Sequence, residues 1–465
     1  MGRFFITRLS CFAFLFVCAG TPSVFAADRA FPSYATVKRV LDQADDLLPA
    51  ELKNPGEAKW NAWSREQDKA IRARLQQGDL DSMVNLLLYG NSFTKQPRIK
   101  VENLTEASKA GILRARVDDL VAGLRNPGNN ERLVFLSDLL RSIRVNPNSP
   151  GETGVFIYKN LQRVIEEMGT LAKRAEEAKR LVQPDAVQAN GAPDPSAIFN
   201  WRPGLFRDRG VSLDTRIFPN FSIELALRDL KKRGVLREGQ VARVAVIGPG
   251  LDFIDKNEET SYDYYPQQTL QPFALYDSLL RLGLARSNRV SLSIFDISSR
   301  VIDHIQRARE RAKSNTAYVI QLPRELNPPW PADLIEYWRS LGDRVGAEVA
   351  AIRPPEVVQG LETRAVRIRP DVVLACQPVD LNIILERRNL AEADRFDLIV
   401  GTNIFIYYDA FERSLALENA GAMLKSGGVL LTNDRLPEIP GGPMRLAGVT
   451  GVPYAQDSVG WYRKQ

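Results

Sequence analysis

The apolar positions of this chain change their period about halfway along. Up to about residue 183 they recur every three to four residues, the spacing of one helix face. Trp60, Trp63, Ile71 and Leu75 mark such a face before Gly78, and the stretches Met83 to Leu88, Ile112 to Leu124 and Leu133 to Ile143 mark others. The most regular seam is Ile157, Leu161, Val164, Met168, Leu171, Ala175, Ala178 and Val182, spaced alternately by four and three residues. A seam this short, with an alanine-rich last third, suits a long helix in a bundle better than a dimerising coiled coil. Weak self-association through the 157–182 helix is the other use it allows.

Past residue 205 the apolar runs shorten and end on glycines or acids. Val244 to Ile247 is uninterrupted, as in a central strand covered on both faces. Val290 to Asp296 alternates in part and stops at an acid; Val301, Ile305, Ala308 and Ala312 then share one helical face. Leu398 to Val400 opens into a polar and aromatic loop, and Phe411, Leu415, Ala420 and Leu424 make the next helical face. Lys425 complements the dipole at that helix's end, Gly427 and Gly428 stop it, and Val429 to Thr432 begins another strand. Strands alternating with helices predict a doubly wound parallel sheet with its ligand outside the carboxyl ends of the strands. Pro184 to Gly204, rich in proline, glycine and polar residues, reads as a linker between a helical domain (27–183) and an α/β domain (205–465). Pro323 to Pro355 reads as an irregular decoration of the sheet, a cap or partner surface near the acceptor side.

The turn after the first of these strands is the main candidate for chemistry. Gly248 and Gly250 let the backbone turn sharply and approach a ligand, and Asp252 closes the turn. Asp296, at the end of the second strand, can accept both hydroxyl protons of a ribose. The plainer alternatives are a tight strand-to-helix turn and an acid favoured by a helix dipole. The single histidine, His304, is out of phase with its helix's apolar face and reads as a surface residue.

The order of these blocks resembles the class I S-adenosylmethionine-dependent methyltransferases over residues 205–465, within them the chemotaxis-receptor glutamate methyltransferases. The likeness is carried by Phe295 to Ser298 with Ala308 and Arg309, by Thr402 to Asp409, and by Leu424 to Leu431. It implies a Rossmann-like methyltransferase sheet behind an N-terminal all-α helical domain. It further implies that Gly248, Gly250 and Asp252 line the methionine end of S-adenosylmethionine, that Asp296 holds the ribose, and that Asp380 and Leu381 flank the adenine. Thr402 and Asn403 would close the site. Asn403 and Tyr407 are the candidates for orienting an oxygen or nitrogen acceptor, a protein carboxylate among them, with Tyr408 beside them. Tyr262, Tyr264 and Tyr265 would form a lid, or an ordinary ordered loop. The chain departs from the family at Val246 and Thr402, where an acid and an arginine are expected.

Composition narrows the rest. A chain of 465 residues, 44% hydrophobic and 25% charged, is long enough for two or three domains. Arg3, Arg8, the apolar run Leu9 to Ala19 and Val24 to Ala26 read as a signal peptide cleaved after Ala26, which points to export to a bacterial periplasm; without that leader the protein is cytoplasmic. The leader is too short for a stable membrane span. Removing it takes two arginines and no acid, so the formal charge falls from +6 to +4, too weak to argue for nucleic acid. It also leaves Cys376 as the only thiol. Phe253 stands where a dinucleotide fingerprint needs its third glycine; phosphate-loop and metal patterns are absent. Two readings stand: a methyltransferase using S-adenosylmethionine on an unknown small-molecule or protein acceptor, and an exported, non-catalytic binding or scaffold protein of the same fold.

Overall fold

The computed structural model describes residues 29–44, 47–99, 107–181, 210–211, 217–254, 262–327, 329–356, 358–452 and 457–465. The expected leader at 1–26, the 184–204 linker and Val182 of the seam lie outside the described residues.

A two-residue strand, β1 (Arg29–Ala30), precedes the helices α1 (Tyr34–Gln43), α2 (Glu57–Tyr89), α3 (Ala107–Arg125), α4 (Glu131–Ser142) and α5 (Pro150–Leu181). The long α2 runs straight through Gly78, although glycine inside a helix costs about 1 kcal/mol against alanine. A Cβ there would collide with the carbonyl of Val211, whose N–H donates to the Arg74 carbonyl across 3.2 Å. Only glycine lets the segment 210–211 lie on the helix.

Next come α6 (Ile217–Lys232), β2 (Arg243–Ile247), α7 (Gln271–Arg281), β3 (Ser291–Asp296) and α8 (Ser299–Lys313). An insertion follows, made of β4 (Tyr318–Glu325), α9 (Ala332–Ser340), β5 (Gly346–Val349) and β6 (Leu361–Ile368). The chain then returns through α10 (Pro370–Ala375), β7 (Cys376–Asp380), β8 (Arg387–Arg388), β9 (Phe396–Gly401), α11 (Ala410–Met423), β10 (Leu424–Thr432), β11 (Met444–Val452) and β12 (Asp457–Lys464).

Seven strands form one sheet in the order β11-β12-β10-β9-β2-β3-β7, and β10, β9, β2, β3 and β7 run parallel. β12 is antiparallel to both its neighbours. From β2 the chain first builds outward to β3 and β7, then returns to build β9 and β10 on the other side. That reversal opens a crevice at the carboxyl ends of β2 and its neighbours.

Two expectations are corrected. The stretch 323–355 is not irregular: β4, β6 and β5 form an antiparallel sheet of their own in that order. Pro323 is tolerated because β4 is an edge strand of it. Nor does Lys425 serve the helix end, since α11 stops at Met423 and the Lys425 ammonium pairs with Asp397 Oδ1 at 2.7 Å.

The sheet is buried on both faces, which is why β2 reads as a continuous apolar run. Val244, Val246, Leu292, Ile294, Leu398 and Val400 pack with Phe221, Leu227, Leu279 and Val301 of α6, α7 and α8. The opposite side chains, Ala245, Ile247, Phe295 and Ile399, pack with Val40, Trp60, Ile71, Phe411 and Leu415. Thus α1 and the first half of α2 cover one face of the sheet. The end of α2 joins α3, α4 and α5 in a third core that takes in Phe253 and Ile254 from the loop after β2. Ile157, Leu161 and Val164 are buried in that bundle, so this part of the heptad seam is used within the chain.

Candidate functional site

The register of three strands sets the site. Ile247 pairs with Phe295 on one side and with Gly401 on the other, so the next residues, Gly248, Asp296 and Thr402, stand on one rung across the ends of β2, β3 and β9. The Gly248 N–H donates to the Phe295 carbonyl at 2.7 Å, and its φ of +58° is a left-handed conformation that favours glycine. A Cβ on Gly248 would run into the Ile404 side chain. The Leu381 N–H donates to the Asp296 carbonyl at 3.0 Å, which brings the end of β7 to the same edge.

A cavity of about 50 Å³ opens here, walled by Gly248, Gly250, Asp296, Leu381, Thr402 and Asn403 among the residues expected from sequence. It is closed in by Val211, Phe295, Ile404 and Tyr408, and Gln271 and Asn382 also line it.

Asp296 is 5% exposed. Its Oδ1 accepts from the Ser298 N–H at 2.8 Å, while Oδ2 is buried without a hydrogen-bond partner. Burial is the main cause that pushes its carboxyl up to about 7, against the bonds from the Ser298 and Ile297 N–H groups. Gln271, the first residue of α7, is in a similar state. Its Nε2 donates to Thr402 Oγ1 at 2.8 Å and its Oε1 is buried without a partner. Two residues that line one cavity therefore each carry a buried acceptor with nothing bonded to it, a costly arrangement unless a ligand supplies the donors.

Asn403 sits at φ +60°, which is uncommon for a residue other than glycine. It is held by Asn433 at the end of β10, whose Oδ1 accepts from the Asn403 N–H at 2.8 Å and whose Nδ2 donates to Asn403 Oδ1 at 2.9 Å. The carboxamide oxygen is thus engaged in holding the loop.

Three expected residues are not brought to the cavity. Asp252 turns into the loop that follows it, where Oδ2 accepts from Tyr265 Oη at 2.8 Å and Gln268 Nε2 at 3.3 Å. Asp380 points outward, 48% exposed at its side chain, and is held by Arg29 and Arg72. Tyr407 is buried and does not line the cavity; Tyr408 does. Burial pushes the Tyr408 hydroxyl above its ordinary range, and Arg74 lies over its ring at 5.9 Å.

His304 is a further correction. It is 8% exposed, its Nε2 lies 2.9 Å from Tyr318 Oη, and burial together with Arg307, Arg311 and Arg300 pushes it down to about 4. The insertion after α8 covers a flank of that helix that period alone assigns to solvent. The tyrosines after the glycine turn are fastened: Tyr264 Oη lies 2.9 Å from Thr363 Oγ1, and Tyr265 is bonded to Asp252.

The loops around the site are held by α2. Arg72 Nη1 donates to the Ile297 carbonyl at 3.1 Å and Nη2 to Asp380 Oδ1 at 2.9 Å, while Asp68 Oδ1 accepts from Asn382 Nδ2 at 2.8 Å. Gln67 Nε2 donates to Glu412 Oε1 at 2.6 Å, and Arg74 Nη1 to the Tyr407 carbonyl at 2.7 Å. None of these is legible in the sequence, where they look like the solvated flank of a helix. Gln271 has no local motif either; only its place at the start of the helix after a glycine turn marks it. Among the described residues no group of His, Cys, Asp or Glu could hold a metal ion, and no helix is long and apolar enough to cross a membrane.

No protein-family model and no curated protein sequence matches the chain. Solved structures similar in part include a TehB-like SAM-dependent methyltransferase from Corynebacterium glutamicum, with 11% identity, 54% of this chain and 100% of that one covered, and a TM-score of 0.23. The magnesium protoporphyrin IX methyltransferase of Synechocystis PCC 6803 with bound SAM matches at 11% identity, over 54% and 82% of the two chains, with a TM-score of 0.26. MtNAS in complex with MTA and tNA matches at 11% identity, over 86% and 97%, with a TM-score of 0.24. The first two are methyltransferases, and neither is a chemotaxis-receptor enzyme. At these TM-scores the likenesses carry no argument about the site, which stands on its own geometry.

Proposed function

We propose that the chain binds S-adenosylmethionine at the carboxyl edge of β2, β3 and β9 and transfers its methyl group to an oxygen or nitrogen acceptor. The observation that carries this reading is the Asp296 carboxylate, buried at a strand end beside a glycine turn with Oδ2 unpartnered. A ribose diol supplies two donors in the geometry a carboxylate accepts. Gly248 gives backbone clearance beside it, and Leu381 and Ile383 offer apolar walls for a base.

When bound, the cofactor supplies a methyl group activated by its sulfonium. The protein's share is to hold and align the reactants and exclude water. Asp296 and Tyr408 are the titratable side chains on the cavity wall; Asp296 is reserved for the diol, and the burial of Tyr408 keeps its hydroxyl protonated. An acceptor that needs no base, such as a carboxylate, fits this wall best. Tyr408 and the held Asn403 loop would orient it.

The size of the cavity supports a second reading. About 50 Å³ holds a few waters, whereas small-molecule sites usually run to roughly 300 Å³ or more, so Ile404 must swing off Gly248 before a nucleoside enters. A protein in which it never does is a binding or scaffold module. Calorimetry with S-adenosylmethionine and S-adenosylhomocysteine separates the two: saturable heat lost in Asp296→Ala supports the methyltransferase, and no heat leaves the scaffold. Export with cleavage after Ala26 belongs to the same proposal, and amino-terminal sequencing of the protein recovered from cell fractions tests it.

A further inference from the structure

A groove of about 650 Å³ runs between the helical bundle and the α/β region and shares no lining residue with the cavity at the strand ends. One wall is α4, which presents Glu131, Val134, Phe135 and Asp138; the other is α8, which presents Arg300, Asp303, His304, Arg307 and Arg311. Spacings of three and four residues put each set on one helical face. From Arg300 to Arg311 the helix rises about 16 Å, the length of roughly five extended residues. The residues leading into β4, Thr316 to Val319, complete the lining.

The walls differ in the charge they leave over. Glu131 Oε2 accepts from the Gln267 N–H at 2.9 Å, and Asp138 pairs with Arg141 at 2.6 Å. Arg300 reaches Asp79 at 2.9 Å, and its guanidinium lies over the Phe135 ring at 4.1 Å. Arg307 and Arg311 are exposed, one turn apart, and neither has an ion pair among the described residues. Asp303 is the one acid on that wall. Val134 and Val319 are 38% and 37% exposed, so the groove offers apolar surface as well.

The groove also holds an open backbone edge. β4 is an outer strand of its three-stranded sheet. The Gln321 N–H donates to Gln268 Oε1 at 2.7 Å and its carbonyl accepts from Gln268 Nε2 at 2.9 Å, so both groups point away from β6. Backbone direction alternates along an antiparallel strand, so Val319, two residues earlier, turns its N–H and carbonyl the same way. Among the described residues nothing is bonded to them there. A side chain closes the rung at Gln321 and Pro323 lacks the donor at the next, which leaves Val319 as the open place.

We propose that this groove is a docking site for an extended acidic segment of a partner polypeptide, which adds a short strand to β4 at Val319 and sets its carboxylates against Arg307 and Arg311. Main-chain bonds to an edge strand supply affinity, and the arginines supply the choice of partner. Side chains of an extended segment alternate in direction, so apolar residues between the acids suit Val134 and Phe135 on the opposite wall. The site is independent of the adenosyl reading.

The test is fluorescence anisotropy of the whole protein with two capped, labelled peptides of about seven residues, one alternating glutamate and valine, the other lysine and valine. The glutamate peptide is expected to bind saturably, and the lysine peptide about tenfold more weakly or not at all. Joint Arg307→Glu and Arg311→Glu substitution is expected to weaken the glutamate peptide about tenfold, with an unchanged thermal midpoint because both residues are exposed. Val319→Pro removes the edge donor and keeps the charges; it is expected to weaken the peptide about fivefold, while Val319→Thr, which keeps the donor, stays within about twofold. Slower hydrogen exchange at the Val319 amide when the peptide is added reads the same bond without any substitution. No saturable binding by the parent, equal binding of the two peptides, or unchanged exchange at Val319 overturns the proposal. So does full binding by the doubly substituted protein. A parent dimer that those two arginine substitutions separate in sedimentation gives the groove to a second copy and overturns it too.

Discussion

Two buried acids of the α/β region, one on a helix and one at a strand end, make a useful pair. Glu224, on α6, is fully buried, and its two oxygens receive Arg228, Ser278 and Arg281 at 2.5 to 2.7 Å. Asp296 is almost as buried, yet it receives only backbone N–H groups and its Oδ2 is left without a partner. A carboxylate whose lone pairs are filled from within the chain serves to hold the fold. One left half-satisfied in a low-dielectric wall lowers stability until a ligand supplies the missing donor. Burial alone does not distinguish the two; the count of donors does.

The largest expected effect breaks the first member of the pair. Glu224→Ala removes a fully buried acid and leaves the partly buried Arg281 guanidinium short of a main partner, and should destabilise the protein by about 3 kcal/mol in denaturant unfolding. Asp296→Asn should act in the opposite direction when no ligand is present. A carboxyl raised to about 7 in the folded protein, against about 3.9 unfolded, costs nothing below about pH 4 and costs more as pH rises, levelling off above about pH 7. The variant should therefore match the parent near pH 4 and exceed it at pH 8 by an amount on the order of 4 kcal/mol, read from unfolding midpoints. The same carboxyl makes nucleoside affinity rise with pH, because the ionised form is the better acceptor for a diol. Calorimetry should show about a tenfold gain from pH 6 to pH 8, absent in Asp296→Asn.

Smaller effects sharpen the contrast by opening the wall. Ile404→Ala should cost about 1–2 kcal/mol, since the side chain is only half-buried, while raising nucleoside affinity by clearing the space over Gly248. Smallest of all, Arg72→Ala removes a partly exposed ion pair with Asp380 and Asp68 and should change stability by about 1 kcal/mol or less. Its larger signature should be faster hydrogen exchange at Ile297 and Asn382, where α2 holds the loops of the site.

How far the residues speak for themselves varies with the range of the forces involved. The strands at 243–247, 291–296 and 396–401 are legible because central strands must be apolar on both faces and must end where the chain turns. The pairing of Gly248 with Asp296 follows from two such ends in one parallel sheet. Asp252, Asp380 and Tyr407 are legible as residue types but not as orientations. An acid two residues past a glycine can face the crevice or fold back on its own loop, and here Tyr265 and Gln268 pull it back. The helical region from 29 to 181 is legible as helices, yet nothing periodic says that α1 and α2 cover the sheet. Polar residues such as Asp68 and Arg72 give the same pattern on a solvated flank as on one that holds loops in place.

Periodicity and turn chemistry therefore suffice for the alternation of strands and helices, the glycine turn and the acid on the adjoining strand, because these depend on neighbours a few residues apart. Which acids keep an empty lone pair, that Gln271 meets Thr402, that Ile404 closes over Gly248 and that an amino-terminal helix holds the loops around the cavity are settled only when elements far apart in the chain pack together. Hydrogen-bond satisfaction is a property of the assembled interior, and no local stretch of chain carries it.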